Sequence, residues 1–265
     1  TSKLDVNGDI NLTGDLKING VAQTFGGSSN VNGLSDALVE SSSIYIGNNP
    51  SSTTNNAERN IALGVEALQA ITTGDNNTAI GHNALKSNTT GGTNTAVGWR
   101  TLRDNTSGSA NTALGIESLI FNQTGGSNTG VGLQALVHNQ TGNNNTAVGL
   151  MSGKTITTGS NNVIVGYKSN PSANNATNQT VIGYQAAGQA DNSVVLGNSD
   201  VTDVYMSQDG GAYVHAGGLN VGGNYSLPSS DGNANQVLQT NGSGILSWSS
   251  ISSGVSSLND LSDAK

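Results

Sequence analysis

A glycine returns every 17 residues through most of this chain. Eight consecutive steps of 17 link Gly47, Gly64, Gly81, Gly98, Gly115, Gly132, Gly149, Gly166 and Gly183, and a final step of 14 reaches Gly197. Each glycine closes a pentad with β character, from SIYIG at 43–47 through NIALG, NTAIG, NTAVG, NTALG, NTGVG, NTAVG, NVIVG and QTVIG to SVVLG at 193–197. A unit this short cannot bury a core alone, so neighbouring units must stack and supply each other's contacts. Ten pentads stacked strand on strand at ~4.8 Å give a rod roughly 45 Å long.

The second half of the unit repeats as well. A small residue and often Leu follow the glycine, as in Ala67-Leu68, Ala84-Leu85, Thr101-Leu102, Ser118-Leu119 and Ala135-Leu136. A turn-rich stretch comes next, centred on Gly74, Gly91, Gly108, Gly125, Gly142 and Gly159. Asn, Thr and Gly suit tight turns and left-handed backbone there, so each unit reads as strand, glycine bend, short strand, loop. Within the pentad, side chains alternate between two faces. The Thr (Thr78, Thr95, Thr112, Thr146) and the apolar residue before the glycine (Ile80, Val97, Leu114, Val148) are expected inside the roll, against the Leu of the second strand. The small residues Ala79, Ala96, Ala113 and Ala147 are expected outside, where they would let a second chain approach closely.

Composition supports a thin, repetitive build. Gly numbers 37, aromatic residues are 4 % and charged residues 10 %, far below the roughly 25 % charge of ordinary globular domains. Disorder usually carries high charge and many prolines, whereas this chain has three prolines and ordered apolar recurrence. The absence of cysteine excludes disulfides and thiolate chemistry. A net charge of −8 argues against a nucleic-acid surface, which needs clustered Lys and Arg. No apolar run approaches the ~18 residues of a membrane span, so membrane insertion is not expected, and TSKLDVNG has no signal-peptide pattern.

The pentads and the 14-residue final unit, YQAAGQADNSVVLG, resemble the head repeats of trimeric autotransporter adhesins. The 17-residue unit is similar to that coil with a longer loop, as in bacteriophage tail fibres. The resemblance covers residues 43–206. It implies an all-β, left-handed parallel β-roll, or solenoid, in a homotrimeric extracellular fibre. As a tail fibre it would belong to the virion tail, join other virion tail proteins and attach to a host-surface glycan or protein receptor. A bacterial trimeric surface adhesin is the nearer alternative, and an ice-binding solenoid a further one. Gly130 in place of Ala, the bulky Ile164 and Val181 at the same position, and Pro50 and Pro171 in loops depart from the pattern. The bulky pair implies that packing changes towards the C-terminal end of the roll.

The flanks differ from the roll. Residues 1–30 carry a hexad repeat, LDVNGD, INLTGD, LKING, read as a β lead-in of very short strands. Asp5, Asn7 and Asp9 loosely resemble a calcium loop but lack its downstream Glu, so turn chemistry explains them better. Residues 31–42 form a connector. Residues 207–265 are a Gly-rich β connector in which QVLQTNGSGILSW, at 236–248, reads as a hairpin turning at Asn-Gly. Leu34-Ser35-Asp36-Ala37 recurs as Leu261-Ser262-Asp263-Ala264, an expectation that a further module follows Lys265.

No catalytic, cofactor or metal site is expected. His82, His138 and His215 have no ligand spacing. Glu66 and Glu117 lie three coils, ~14 Å, apart by strand spacing, beyond the separation that either glycoside-hydrolysis mechanism uses. The candidate receptor contacts are Trp99, Arg100 and Arg103, joined by Phe121 and His138 on the loops, where stacking on a sugar and guanidinium hydrogen bonding are available. The chain is therefore expected to be non-enzymatic. Incubated with capsular polysaccharide or lipopolysaccharide, the purified protein should release no reducing ends, and a time-dependent rise in reducing ends would contradict this reading.

Overall fold

A computed structural model describes residues 56–205 without a break, residues 42–47 ahead of them, and shorter pieces at 16–18, 21–23, 37–40 and between 220 and 250. Among the described residues every regular element is a β-strand. β1 (Leu16–Ile18) and β2 (Val21–Gln23) form an antiparallel pair; the rest of the hexad region, with Asp5, Asn7 and Asp9, lies outside the described residues. β3 (Ala37–Glu40) pairs antiparallel with β4 (Ser43–Ile46). Nine more strands then stack in parallel on β4. They are β5 (Ile61–Leu63), β6 (Thr78–Ile80), β7 (Thr95–Val97), β8 (Thr112–Leu114), β9 (Thr129–Val131), β10 (Thr146–Val148), β11 (Val163–Val165), β12 (Thr180–Ile182) and β13 (Val194–Leu196). The ten parallel strands make a β-solenoid of about nine turns. Its register follows the repeat, so that Thr95 faces Thr112, Ala96 faces Ala113 and Val97 faces Leu114.

The C-terminal unit, Tyr205–Lys265, is separate from the solenoid unit, Thr1–Val204. It contains β14 (Asn220–Val221) paired with β15 (Tyr225–Ser226), and the expected hairpin of β16 (Gln236–Thr240) and β17 (Leu246–Ser250). Gly242 takes φ +79° in the turn, consistent with the Asn-Gly signal.

The faces of the solenoid strands are the reverse of the sequence expectation. Ala79, Ala96, Ala113 and Ala147 are each 0 % exposed within a single protomer. They pack inside, against Leu68, Leu85, Leu102, Leu119 and Leu136, and cannot form an intersubunit face. Thr95, Thr112, Leu114 and Val148 point outward instead. The reason is width: the segment carrying the leucines lies so close to the strands that a methyl group fills the gap, and a second bulky layer does not fit. That segment is also not a strand. Leu68, Leu85, Leu102, Leu119 and Leu136 hold left-handed backbone, φ +50° to +53°, a conformation that costs an L-residue roughly 1–2 kcal/mol. Burial of the leucine side chain, worth about 1.5–3 kcal/mol, and axial bonds such as Leu102 N–H to the Ser118 carbonyl at 3.1 Å offset the strain.

The departures from the repeat are volume corrections. Where Gly130 lacks a methyl, Ser118 Oγ occupies the space, 2.6 Å from where a Cβ would sit, and donates to the Gly130 carbonyl at 2.9 Å. Beyond Leu136 the leucine column continues as Gly153, Asn170 and Ala187, while the inward strand residue grows to Ile164 and then Val181, both fully buried. Large and small exchange sides, so the core stays filled. Tyr45 fills the same inward position in the first coil.

Two ladders of buried side-chain amides run along the axis. Asn60, Asn77, Asn94, Asn111, Asn128, Asn145 and Asn162 form one, ending on Ser43 and Gln179. Each Oδ1 accepts the next coil's Asn backbone N–H, as Asn94 Oδ1 does from Asn111 at 3.0 Å. Each Nδ2 reaches across the coil to a turn carbonyl, as Asn111 Nδ2 does to Gly125 at 2.9 Å; the acceptor is a glycine in every coil except that of Asn162, where it is Ala176. Asn88, Asn105, Asn122 and Asn139 form the second ladder, with Nδ2 to Oδ1 distances of 2.7–2.8 Å. Ile71 and Ile156 stand at its two ends in the same column. The turn glycines serve close approach rather than left-handed backbone: a Cβ on Gly108 would land on the Gly125 carbonyl oxygen.

Asn111→Ala should therefore leave the Asn128 N–H buried without a partner, while the Gly125 carbonyl keeps the Asn122 amide as a donor. An orphaned buried group costs roughly 1–3 kcal/mol, so a loss of about 2 kcal/mol is expected in urea unfolding, and a loss below ~1 kcal/mol would refute the structural role of the ladder.

Candidate functional site

Two surface features stand out once the core is accounted for. The first is the outward face of the strands. Outward positions carry Thr or a branched aliphatic side chain, and the residue after the glycine adds a further column. Ile61, Leu63, Leu114, Ile116, Val148 and Ile182 are exposed along this face, Leu114 by 48 %. Exposed apolar residues thus recur over nine coil steps, roughly 43 Å at strand spacing, and a row of this kind is what association surfaces commonly present.

The second feature is a groove of about 250 Å³ at coils around residues 100–154. Its geometry follows from the repeat, because residues 17 apart stack into columns. The column two after the strand glycine gives Arg100, Glu117 and Gln134; the column five after it gives Arg103, Ile120, Val137 and Lys154; the next gives Phe121 and His138. Ile120 and Val137, nearly fully buried, form an apolar floor. Phe121 and His138 stack with ring centroids 5.9 Å apart and 13° between planes, and His138 Nδ1 lies 3.0 Å from the Lys154 carbonyl oxygen.

The charges in the groove are unevenly satisfied. Arg103 donates from Nε and Nη2 to Asp104 at 2.6 and 2.7 Å, and its guanidinium lies 5.7 Å from the Phe121 ring centre. The Asp104 hydrogen bonds push the Arg103 pKa above its already high ordinary value. Arg100 lies over Trp99 at 4.2 Å, reaches Glu117 Oε1 only at 3.9 Å, and buries its Nε without a hydrogen-bond partner. Gln134 Nε2 donates to the other Glu117 oxygen at 2.8 Å. The Lys154 ammonium has no ion-pair or hydrogen-bond partner among the described residues. Three cations thus face two carboxylates, a local excess of positive charge on a chain of net −8.

The sequence pointed to Trp99, Arg100, Arg103, Phe121 and His138. Arg100, Arg103, Phe121 and His138 line one groove, and Trp99 packs beside it under Arg100. Lys154 and Gln134 were missed, although reading the sequence in columns of 17 places both next to the others. Glu117 lies here as well, bound to Gln134, while Glu66 accepts from Lys86 at 2.8 Å. That bond holds the Glu66 carboxyl below its ordinary range, so the pair's small, solvent-screened contribution is present above that range and fades as pH falls through the lowered value. His82 and His138 are exposed loop residues; His215 lies outside the described residues. Among the described residues no group of three His, Asp or Glu could hold a metal ion, and no helix is long and apolar enough to cross a membrane.

No family model, curated protein or solved structure matches this chain.

The rings over the groove and its floor should respond differently to truncation. Phe121→Ala and His138→Ala remove exposed side chains and should each change stability by about 0.5 kcal/mol or less. Ile120→Ala should cost about 2 kcal/mol or more. Thermal melts followed by circular dichroism test the contrast; equal losses at all three sites would mean that the rings are core elements rather than displayed ones.

Proposed function

We propose that this chain is a structural and adhesive segment of a homotrimeric extracellular fibre, of the kind that forms the tail fibre of a bacteriophage and attaches it to a host cell. The observation that carries the reading is the apolar strand face, which stays exposed in the isolated protomer although the protomer's own core is complete. A second copy, related by symmetry around the fibre axis, presents the same columns at the same spacing along the axis. Burial of such a strip at about 25 cal/mol per Å² supplies the association energy that a thin roll lacks by itself. The solenoid is suited to a spacer, since each coil is held from both sides and has no hinge along its length. The loops vary their side chains on a fixed backbone, which suits receptor contact, and three copies would add avidity. A bacterial trimeric surface adhesin uses the same physics and differs only in its cellular attachment.

The outward Thr column gives one other reading specific support. Thr95 and Thr112 are exposed at regular axial spacing, an arrangement that an ice-binding surface could use. The two readings compete for one face, so the oligomeric state separates them: a face buried between copies cannot meet ice.

Light scattering at micromolar concentration should give three times the protomer mass. Leu114→Asp combined with Val148→Asp should yield soluble protomers with the same β circular dichroism, because both side chains lie outside the core. A wild-type protein that runs as a monomer would remove the fibre reading, and thermal hysteresis by that monomer would favour the ice-binding one.

A further inference from the structure

The groove at coils around residues 100–154 has a chemistry of its own. Its floor is apolar, formed by Ile120 and Val137. One wall offers the stacked rings of Phe121 and His138, and the other the amide of Gln134 held against Glu117. Arg103 and Lys154 mark its two ends, three coil steps or roughly 14 Å apart along the axis at strand spacing. An extended oligosaccharide spans that distance, and a single sugar ring does not.

The state of the cations indicates the charge of the occupant. Arg103 is already paired through two hydrogen bonds with Asp104 and lies 5.7 Å from the Phe121 ring centre. Arg100 is only loosely engaged with Glu117, at 3.9 Å, and its side chain stays partly exposed. Lys154 has no partner among the described residues. Charge-assisted hydrogen bonds to an anion are the strong interactions that such groups can still form. Aromatic faces beside them suit the C–H surface of a pyranose ring, which needs apolar contact on one side and hydrogen bonding around its edge.

We propose that this groove binds an acidic oligosaccharide lying along the fibre axis, with Lys154 and Arg100 meeting its anionic groups and the Phe121–His138 pair stacking on its rings. The proposal deepens the adhesive reading and rests on it, naming the chemical class of the receptor. Net charge adds selectivity: the groove's positive excess stands on a chain of net −8, which disfavours docking of a polyanion elsewhere.

The test uses the native oligomer and titrates it by calorimetry with oligogalacturonate, dextran sulfate, neutral malto-oligosaccharide and single-stranded DNA. Oligogalacturonate or dextran sulfate should bind and malto-oligosaccharide should not; the first two arms tell carboxylate from sulfate as the anion. Lys154→Gln should weaken binding roughly tenfold or more, as loss of a charged hydrogen bond implies, and Phe121→Ala should weaken it without changing its salt dependence. Both side chains are at least partly exposed, so both variants should fold. Absence of binding to either acidic saccharide overturns the proposal, as does equal binding of the neutral one, equal binding of DNA, or indifference to Lys154→Gln. Light scattering on the same samples keeps the two readings apart. A trimer that binds no acidic saccharide refutes this proposal alone, a wild-type monomer refutes the fibre, and a trimer lost in Lys154→Gln would assign the groove to the subunit interface instead.

Discussion

Each coil of this protein is satisfied by a copy of itself displaced by one repeat. The buried Asn ladders express this most directly. Asn111 accepts from Asn128 and donates to Asn94, and the same bonds recur up and down the axis. A buried amide in a small roll would ordinarily be costly, yet here every copy finds its partners in the coils beside it and at a turn carbonyl. The rest follows from that arrangement. Glycine is demanded at the turns because consecutive backbones meet there, and the period is held at 17 because a slip would orphan both ladders at once. Where the last unit shortens to 14 residues, Gln179 closes the ladder by accepting no further Asn and turning its amide to Ser172 and Asp191.

Thinness is the second constraint. With a leucine on one wall, the facing wall has room for Ala96 or Ala113 and little more. The bulky β-branched and aliphatic residues of the pentads are therefore displaced to the outer surface. In a globular domain that would be a solubility defect. In the proposed fibre it would be the means by which thin rolls gain a shared core, the apolar area missing inside each protomer being supplied between protomers. The exchange of Leu for Gly153, balanced by Ile164, follows the same rule with the large residue on the opposite wall.

The groove shows how such a scaffold can acquire specificity at no cost to its fold. Columns 17 residues apart bring side chains from four successive coils into one line, and most of the variation falls at the surface. Arg103, Phe121, His138 and Lys154 occupy positions at which other coils carry Gln69, Lys86, Asp104 or Thr155. The first Asn ladder beneath runs through these coils without a break.

The sequence alone determined the period, the parallel register, the all-β class and the C-terminal hairpin, because repetition and Asn-Gly turns are local signals that need no knowledge of what lies opposite. It also indicated four of the groove's residues, since Arg and aromatic side chains on loops are conspicuous. It could not determine which side of the strand was inside. Alternation with period two sorts Thr95 and Val97 from Asn94 and Ala96, but it is symmetric between the two faces. Hydrophobicity assigns the larger residues to the interior, and the actual choice rests on the distance between strand and leucine segment, a property of the closed coil. The left-handed backbone at the leucines, the second Asn ladder, and the placement of Lys154 and Arg100 along one groove likewise depend on coil closure, which brings together residues that are distant or unremarkable in the chain.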